Sequence, residues 1–137
     1  MARVLPCRLM EGILPSSAPL VLMIDDTEDN RDMYAQIVSH AGWRAAAAAD
    51  GEEGLKLAEA LKPNVIVLDM GLPKMDGWEV ANRLKSAPAT SGIPVIALTG
   101  HVTREARQRA LTAGVDEFIA KPCLPVDLVA AIRRHLR

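Results

Sequence analysis

From position 20 onward the chain is punctuated by short apolar runs: Leu20–Ile24, Val65–Leu68, Pro94–Leu98 and a weaker one at Glu117–Ala120. The first three are continuous rather than alternating, the pattern of strands covered on both faces in a parallel sheet. Between and after them, apolar or small residues recur at helical spacing: Met33, Ile37 and Ala41; Gly54, Ala58 and Leu61; Gly77, Ala81 and Leu84; Ala106, Ala110 and Ala113; Leu128, Ile132 and Leu136. The segment Trp43–Ala49 falls where one more strand is needed. Its run of alanines favours helix on propensity alone. Gly42 ends the helix before it and Asp50 starts the next, so a strand is expected there.

The boundaries have chemical support. Asp50 with Glu53, and Asp76 with Glu79, have the spacing of capping boxes at helix starts. Gly114 would close the fourth helix, and Pro125 suits the first turn of the fifth. Five β-α units in alternation predict an α/β fold, a parallel sheet with helices on both faces, because right-handed crossovers permit little else. Residues 1–18 hold Pro and Ser without a sustained period and are expected to form a flexible N-terminal extension. Residues 19–137 are then the domain.

Composition narrows the function classes. The chain has 137 residues, 50% of them hydrophobic, enough for one self-sufficient core. With 16 basic and 17 acidic residues, no overall charge draws it to nucleic acid or to an anionic membrane. Cys7 and Cys123 fit no disulfide framework or zinc spacing, so free thiols are expected. The longest uncharged stretch, Ser86–Thr103, carries prolines, glycines and His101, and is unfit to span lipid. Pro6, Glu11 and Pro15 interrupt what would be a signal peptide's apolar core, so a cytoplasmic protein without membrane insertion is expected. The neutrality hides a polarity: residues 19–98 carry a net −5 and residues 99–137 a net +3. Arg104, Arg107 and Arg109 lie on the fourth helix, and Arg133, Arg134 and Arg137 near the end of the fifth. These arginines read either as solvated helix faces with cations at a helix C-terminus, or as a docking surface.

In an open α/β sheet, ligands bind outside the carboxyl ends of the strands. The residues that arrive there are Asp25 and Asp26 after the first strand, Asp69 at the end of the third, Thr99 at the end of the fourth and Lys121 after the fifth. Each alone could be a cap or a turn residue. Together they pose an electrostatic problem, since two carboxylates about 5 Å apart repel by roughly 3 kcal/mol at an effective dielectric near 20. A hard, oxygen-seeking cation such as magnesium answers it and leaves room for a phosphate oxygen. Lys121 and Thr99 then face a dianionic group, and one carboxylate can act as nucleophile.

Over residues 20–137 these features closely resemble the receiver domain of two-component response regulators. The resemblance is carried by Asp25-Asp26, the block from Leu68 to Gly77 (LDMGLPKMDG), Thr99-Gly100 and Lys121-Pro122, with Asp26, Asp69, Thr99 and Lys121 spaced by 43, 30 and 22 residues. It implies a flavodoxin-like doubly wound (βα)5 fold with a five-stranded parallel sheet in the order 2-1-3-4-5. It further implies that Asp69 is the phosphoacceptor and takes its phosphoryl group from a histidine kinase or histidine phosphotransfer protein. Asp25, Asp26, Asp69 and the backbone carbonyl of Gly71 would hold Mg2+, Asp25 partly through water. Lys121 would pair with Asp69 and later with phosphoryl oxygens, and the Lys121-Pro122 bond is expected to be cis.

Thr99 and Phe118 stand at the family's switch positions, which couple the phosphoryl group to a surface of the fourth helix, fifth strand and fifth helix. That surface admits a phosphorylation-dependent dimer. Phe118 lacks a tyrosine's hydroxyl, so it signals by packing or is simply a core aromatic. Gly71 and His101 occupy the positions that tune phosphoryl lifetime; Gly71 has no side chain to hold a water, and His101 either reaches one or is an ordinary loop residue. A lifetime set by partners is expected.

The chain ends within its fifth helix, which suggests a stand-alone receiver or a module of a hybrid kinase, acting on an unidentified downstream protein without direct DNA binding. An enzyme reading, a magnesium-dependent phosphohydrolase, lacks the acid two residues after Asp69 that would protonate a leaving group. A flavin-binding reading meets the acidic loop Asp25–Asp29, which would repel a flavin phosphate.

Overall fold

A computed structural model of the chain describes residues 3–4, 17–72, 75–100 and 103–136. Strands β1 (Leu20–Ile24), β2 (Arg44–Ala48), β3 (Val65–Asp69), β4 (Val95–Thr99) and β5 (Glu117–Ala120) alternate with helices α1 (Glu28–His40), α2 (Gly51–Leu61), α3 (Gly77–Ser86), α4 (Arg104–Thr112) and α5 (Pro125–His135). The five strands are parallel in the order 2-1-3-4-5. Arg3–Val4 adds a short antiparallel strand to the free edge of β2, opposite Ala46 and Ala47. These two residues belong to the stretch expected to form a flexible extension, and their backbone pairing acts without any side-chain period. The rest of the stretch before Ser17, including Cys7, lies outside the described residues.

The sheet buries both faces, as its continuous apolar runs require. Leu22, Ile24, Ile66, Leu68, Val95 and Ala97 face α2 and α3, where Ala58, Val80, Ala81 and Leu84 cover them. Val21, Met23, Val67, Ile96 and Leu98 pack on the other face against Tyr34, Ala35 and Val38 of α1 and Leu128, Ala131 and Ile132 of α5. The alanine run is a strand because β2 pairs along its length with β1 and is sandwiched between the helical layers; burial and ladder hydrogen bonds outweigh propensity.

Helix α1 turns inward a face slightly rotated from the one expected: Ile37 and Ala41 pack, partly buried, against the core, but Met33 does not. Met33 is 46% exposed, whereas Tyr34, Ala35 and Val38 are buried. Three adjacent apolar or small residues allow more than one phase of the same period. Leu61 lies at the edge of its helix face at 36% exposure. Helix α4 has partly buried Ala106 and Ala113, and no described side chain between Arg104 and Thr112 is fully buried; the side chain of Ala110 is outside the described set.

The helix ends that carry the site are chemically fixed. Asp50 accepts from the Glu53 N–H at 2.8 Å, and Glu53 returns to accept from the Ala49 N–H at 2.7 Å, one residue earlier than an ideal capping box. Asp76 accepts from the Glu79 N–H at 2.9 Å, but the Glu79 carboxylate turns to Arg83 at 2.6 Å. Gly77 begins α3 directly against the loop after β3. A Cβ there would lie 2.5 Å from Met70 Cα and 3.2 Å from the Asp69 carbonyl oxygen. Gly77→Ala gains about 1 kcal/mol of helix propensity but forces a backbone shift of the overpacking kind, about 1–3 kcal/mol. A net loss is therefore expected in urea denaturation. A variant as stable as the parent would show that the loop yields freely.

Candidate functional site

All the strand-end residues singled out in the sequence arrive at the carboxyl edge of the sheet, around the crevice where β1 sends the chain to one side and β3 to the other. The Asp25 N–H donates to the Ala48 carbonyl at 3.1 Å, continuing the ladder one residue past β1. Its Oδ1 accepts from the Thr27 N–H at 2.9 Å, its Oδ2 faces Asn30 Nδ2 at 3.4 Å, and Arg31 Nη1 donates to its carbonyl at 2.8 Å. Asn30 and Arg31 were not anticipated. They stand in the first turn of α1, over the strand end, where such orienting groups can be sought.

Asp25 is 2% exposed and Asp69 6%, whereas Asp26 is exposed. Burial pushes the Asp25 carboxyl above its ordinary value; the Thr27 hydrogen bond and Lys121 oppose this, and the Asp69 charge adds to it. One oxygen from each of Asp25, Asp26 and Asp69 can be chosen so that all lie within 4.8 Å of one another. Three hard carboxylates without nitrogen or sulfur suit a small divalent cation rather than a zinc site. Beneath them, burial pushes the Tyr34 phenol up to about 12, with Cys123, Asp25 and Asp69 contributing, so this group keeps its proton at neutral pH.

On the other side of Asp69, its Oδ1 accepts from Lys121 Nζ at 2.9 Å and from the Gly71 N–H at 3.1 Å. The Lys121 N–H donates to the Thr99 carbonyl at 2.7 Å, and the Lys121-Pro122 bond is cis as expected. Thr99 is buried at the end of β4. A cavity of about 520 Å³ opens beside Asp69, Thr99, Gly100 and Lys121 and extends to Trp78 and Arg109. Phe118 is half-buried against the α2–α3 side of the core, with Arg107 Cζ 5.9 Å from its ring centre. His101, and Pro73 and Lys74 of the quoted block, lie outside the described residues.

Trp78 was missed in the sequence. Its signal is positional: in a β-α unit the first turn of the helix overlooks the carboxyl edge, and Trp78 directly follows Gly77.

A doubly wound sheet that gathers three carboxylates and a lysine at its switch point defines a class of phosphoryl-accepting α/β domains. The sequence matches the response regulator receiver domain family over residues 21–133, and the chain belongs to that family; it is a receiver domain of two-component signalling. It is 36% identical to the transcriptional regulatory protein HprR of Escherichia coli over 117 residues, 85% of this chain and 51% of that protein. Among solved structures, chemotaxis protein CheY4 of Vibrio cholerae superposes with a TM-score of 0.83 at 28% identity, covering 88% of this chain and 100% of the other. The receiver domain of a Pseudomonas aeruginosa sensor histidine kinase, with a magnesium ion in its active-site cleft, gives 0.79 at 25% identity over 86% and 97%. The chain spans about half the length of the transcriptional regulators it matches. No helix among the described residues is long and apolar enough to cross a membrane.

Proposed function

We propose that residues 19–137 form a phosphorylatable switch in which Asp69 accepts a phosphoryl group from a histidine kinase or phosphotransfer protein. The observation that carries this reading is the single Asp69 carboxylate set between Lys121 Nζ at 2.9 Å and the Asp25–Asp26 pair. Asp69 has its Oδ1 fixed by two donors, which aims the carboxylate toward the cavity. Lys121, released from that oxygen on phosphorylation, turns its charge to the phosphoryl oxygens, and the Thr99 hydroxyl donates to another.

Asp25, Asp26, Asp69 and the Gly71 carbonyl are the groups that would hold Mg2+, which when bound neutralises charge developing on the phosphoryl oxygens. The magnesium-bearing cleft of the Pseudomonas receiver supports this choice of ion. Thr99 and Phe118 then pass the change to the surface of α4, β5 and α5, which contacts a downstream protein. Gly71 offers no side chain to hold an attacking water, and the phosphoryl lifetime is set by partners, with His101 as the remaining local influence.

The test is intact-mass measurement after incubation with acetyl phosphate and Mg2+. One added phosphoryl group is expected, and none when the divalent cation is chelated. Folded protein that gains no mass from acetyl phosphate, phosphoramidate or a phosphorylated kinase would exclude the switch. Continuous turnover of phosphoesters without a stable adduct would favour a hydrolase.

A further inference from the structure

The cavity beside Asp69 is larger than a phosphoryl group needs. Its outer half lies between the first turn of α3 and the exposed helix α4, with Trp78 on one side and Thr103, Glu105 and Arg109 on the other. Neither Asp25 nor Asp26 lines it, whereas Asp69 and Gly71 do, so this opening adjoins the cation-binding side at Asp69 and extends away from it. The passage is open beside Gly100, where a Cβ would meet nothing within 4 Å.

Arg109 Cζ stands 4.9 Å from the Trp78 ring centre. The indole is half-buried and grows from a helix start held by Asp76, so it is a fixed platform for the guanidinium. Stacked in this way, a guanidinium leaves the N–H groups of its edge available for an in-plane, two-point contact with a carboxylate. Among the described residues no carboxylate pairs with Arg109, whereas Lys121 is already engaged by Asp69. Glu105 is the opposing charge on the same wall.

We infer that this outer half seats the non-transferred end of an anionic phosphodonor, and that Arg109, oriented by Trp78, is a positioning residue favouring donors whose leaving group is a carboxylate. The inference rests on the reading of Asp69 as phosphoacceptor. With an acyl phosphate, an Asp69 oxygen forms the new O–P bond while the P–O bond to the acyl group breaks. The carboxylate departs with the electron pair, and no proton or redox equivalent is required. Charge therefore grows on the leaving carboxylate as transfer proceeds, where the Arg109 fork can meet it. With phosphoramidate the leaving group is neutral ammonia, and Arg109 has no developing anion to hold.

The experiment compares second-order phosphorylation rates with acetyl phosphate and with phosphoramidate, read by intact mass, for the parent chain, Arg109→Ala, Arg109→Lys, Trp78→Phe and Glu105→Gln. Thermal unfolding of each variant confirms the fold. For Arg109→Ala, a roughly five- to tenfold loss with acetyl phosphate is expected, the scale of a charge-assisted hydrogen bond discounted for exposure. Its rate with phosphoramidate should stay within about twofold, since the neutral leaving group makes no such bond. Arg109→Lys restores the charge but not the fork and should recover only part of the loss. Trp78→Phe keeps a stacking face and should retain the parent's preference between donors. Glu105→Gln should move acetyl phosphate rates upward, although losing an acidic residue from the first turn weakens the helix itself.

Equal losses with both donors would overturn the inference and mark Arg109 as a support for α4 alone. Unchanged acetyl phosphate rates in Arg109→Ala would also overturn it. A parent chain that takes no phosphoryl group from either donor would instead defeat the reading of Asp69.

Discussion

Asp69→Asn is expected to abolish phosphoryl uptake from every donor while leaving the fold intact. The carboxamide is nearly the same size as the carboxylate, and its oxygen can still accept from Lys121 Nζ and the Gly71 N–H, the two groups that hold Oδ1 in the parent. What disappears is the anionic nucleophile and one of three carboxylates whose oxygens approach within 4.8 Å. At about 5 Å and an effective dielectric near 20, each like-charge pair costs roughly 3 kcal/mol before screening. Relief of that repulsion offsets the weakened contact with Lys121, so stability without a divalent cation should be retained. The stabilisation that Mg2+ confers, which follows RT ln(1 + [L]/Kd), should shrink because a ligand is lost. Intact mass and thermal unfolding with and without Mg2+ check both halves. A phosphoryl adduct on Asp69→Asn would move the acceptor to another carboxylate, and an unchanged response to Mg2+ would remove Asp69 from the cation site.

Different physical signals made different parts of the molecule legible in the sequence. Leu20–Ile24, Val65–Leu68 and Pro94–Leu98 could be read because a strand buried on both faces is a continuous apolar run, and no exposed element shares that pattern. Arg44–Ala48 could be read only through its neighbours, since its own alanines favour helix and its pairing with β1 is a tertiary effect. In α1, Ile37 and Ala41 pack on the core as expected and only Met33 turns outward; Met33, Tyr34 and Ala35 are consecutive, so the period leaves open which of them faces in. The gathering of the strand-end residues was legible because a parallel sheet delivers the residue after each strand to one edge. Trp78 and Arg109 are different: they are 31 residues apart, on separate helices, and nothing local announces that one will stack on the other. The pairing of Arg3–Val4 with the sheet edge uses backbone groups alone and leaves no side-chain pattern.

Lys121→Ala is expected to slow phosphorylation of Asp69 by about 10²–10³-fold, the usual effect of removing one preorganised group that meets charge developing in a transition state. The Lys121 side chain is 28% exposed and that of Asp69 8%, so the pair operates partly shielded from water, where a point charge has more effect than on an open surface. The Lys121 backbone is also anchored, its N–H held by the Thr99 carbonyl at 2.7 Å, and the alanine variant keeps that anchor. The loss therefore isolates the ammonium. Without it, Asp69 faces Asp25 and Asp26 without the ammonium that pairs with it, so the variant should depend more steeply on Mg2+ for stability than the parent does. This is the opposite direction to Asp69→Asn, and it separates a charge effect from general loosening, which would lower stability equally with and without Mg2+. Lys121→Arg should recover the Mg2+ response more fully than the rate, because a planar fork cannot place a compact charge where the ammonium stands. Parent-like rates in Lys121→Ala would show that the 2.9 Å contact with Asp69 is structural only.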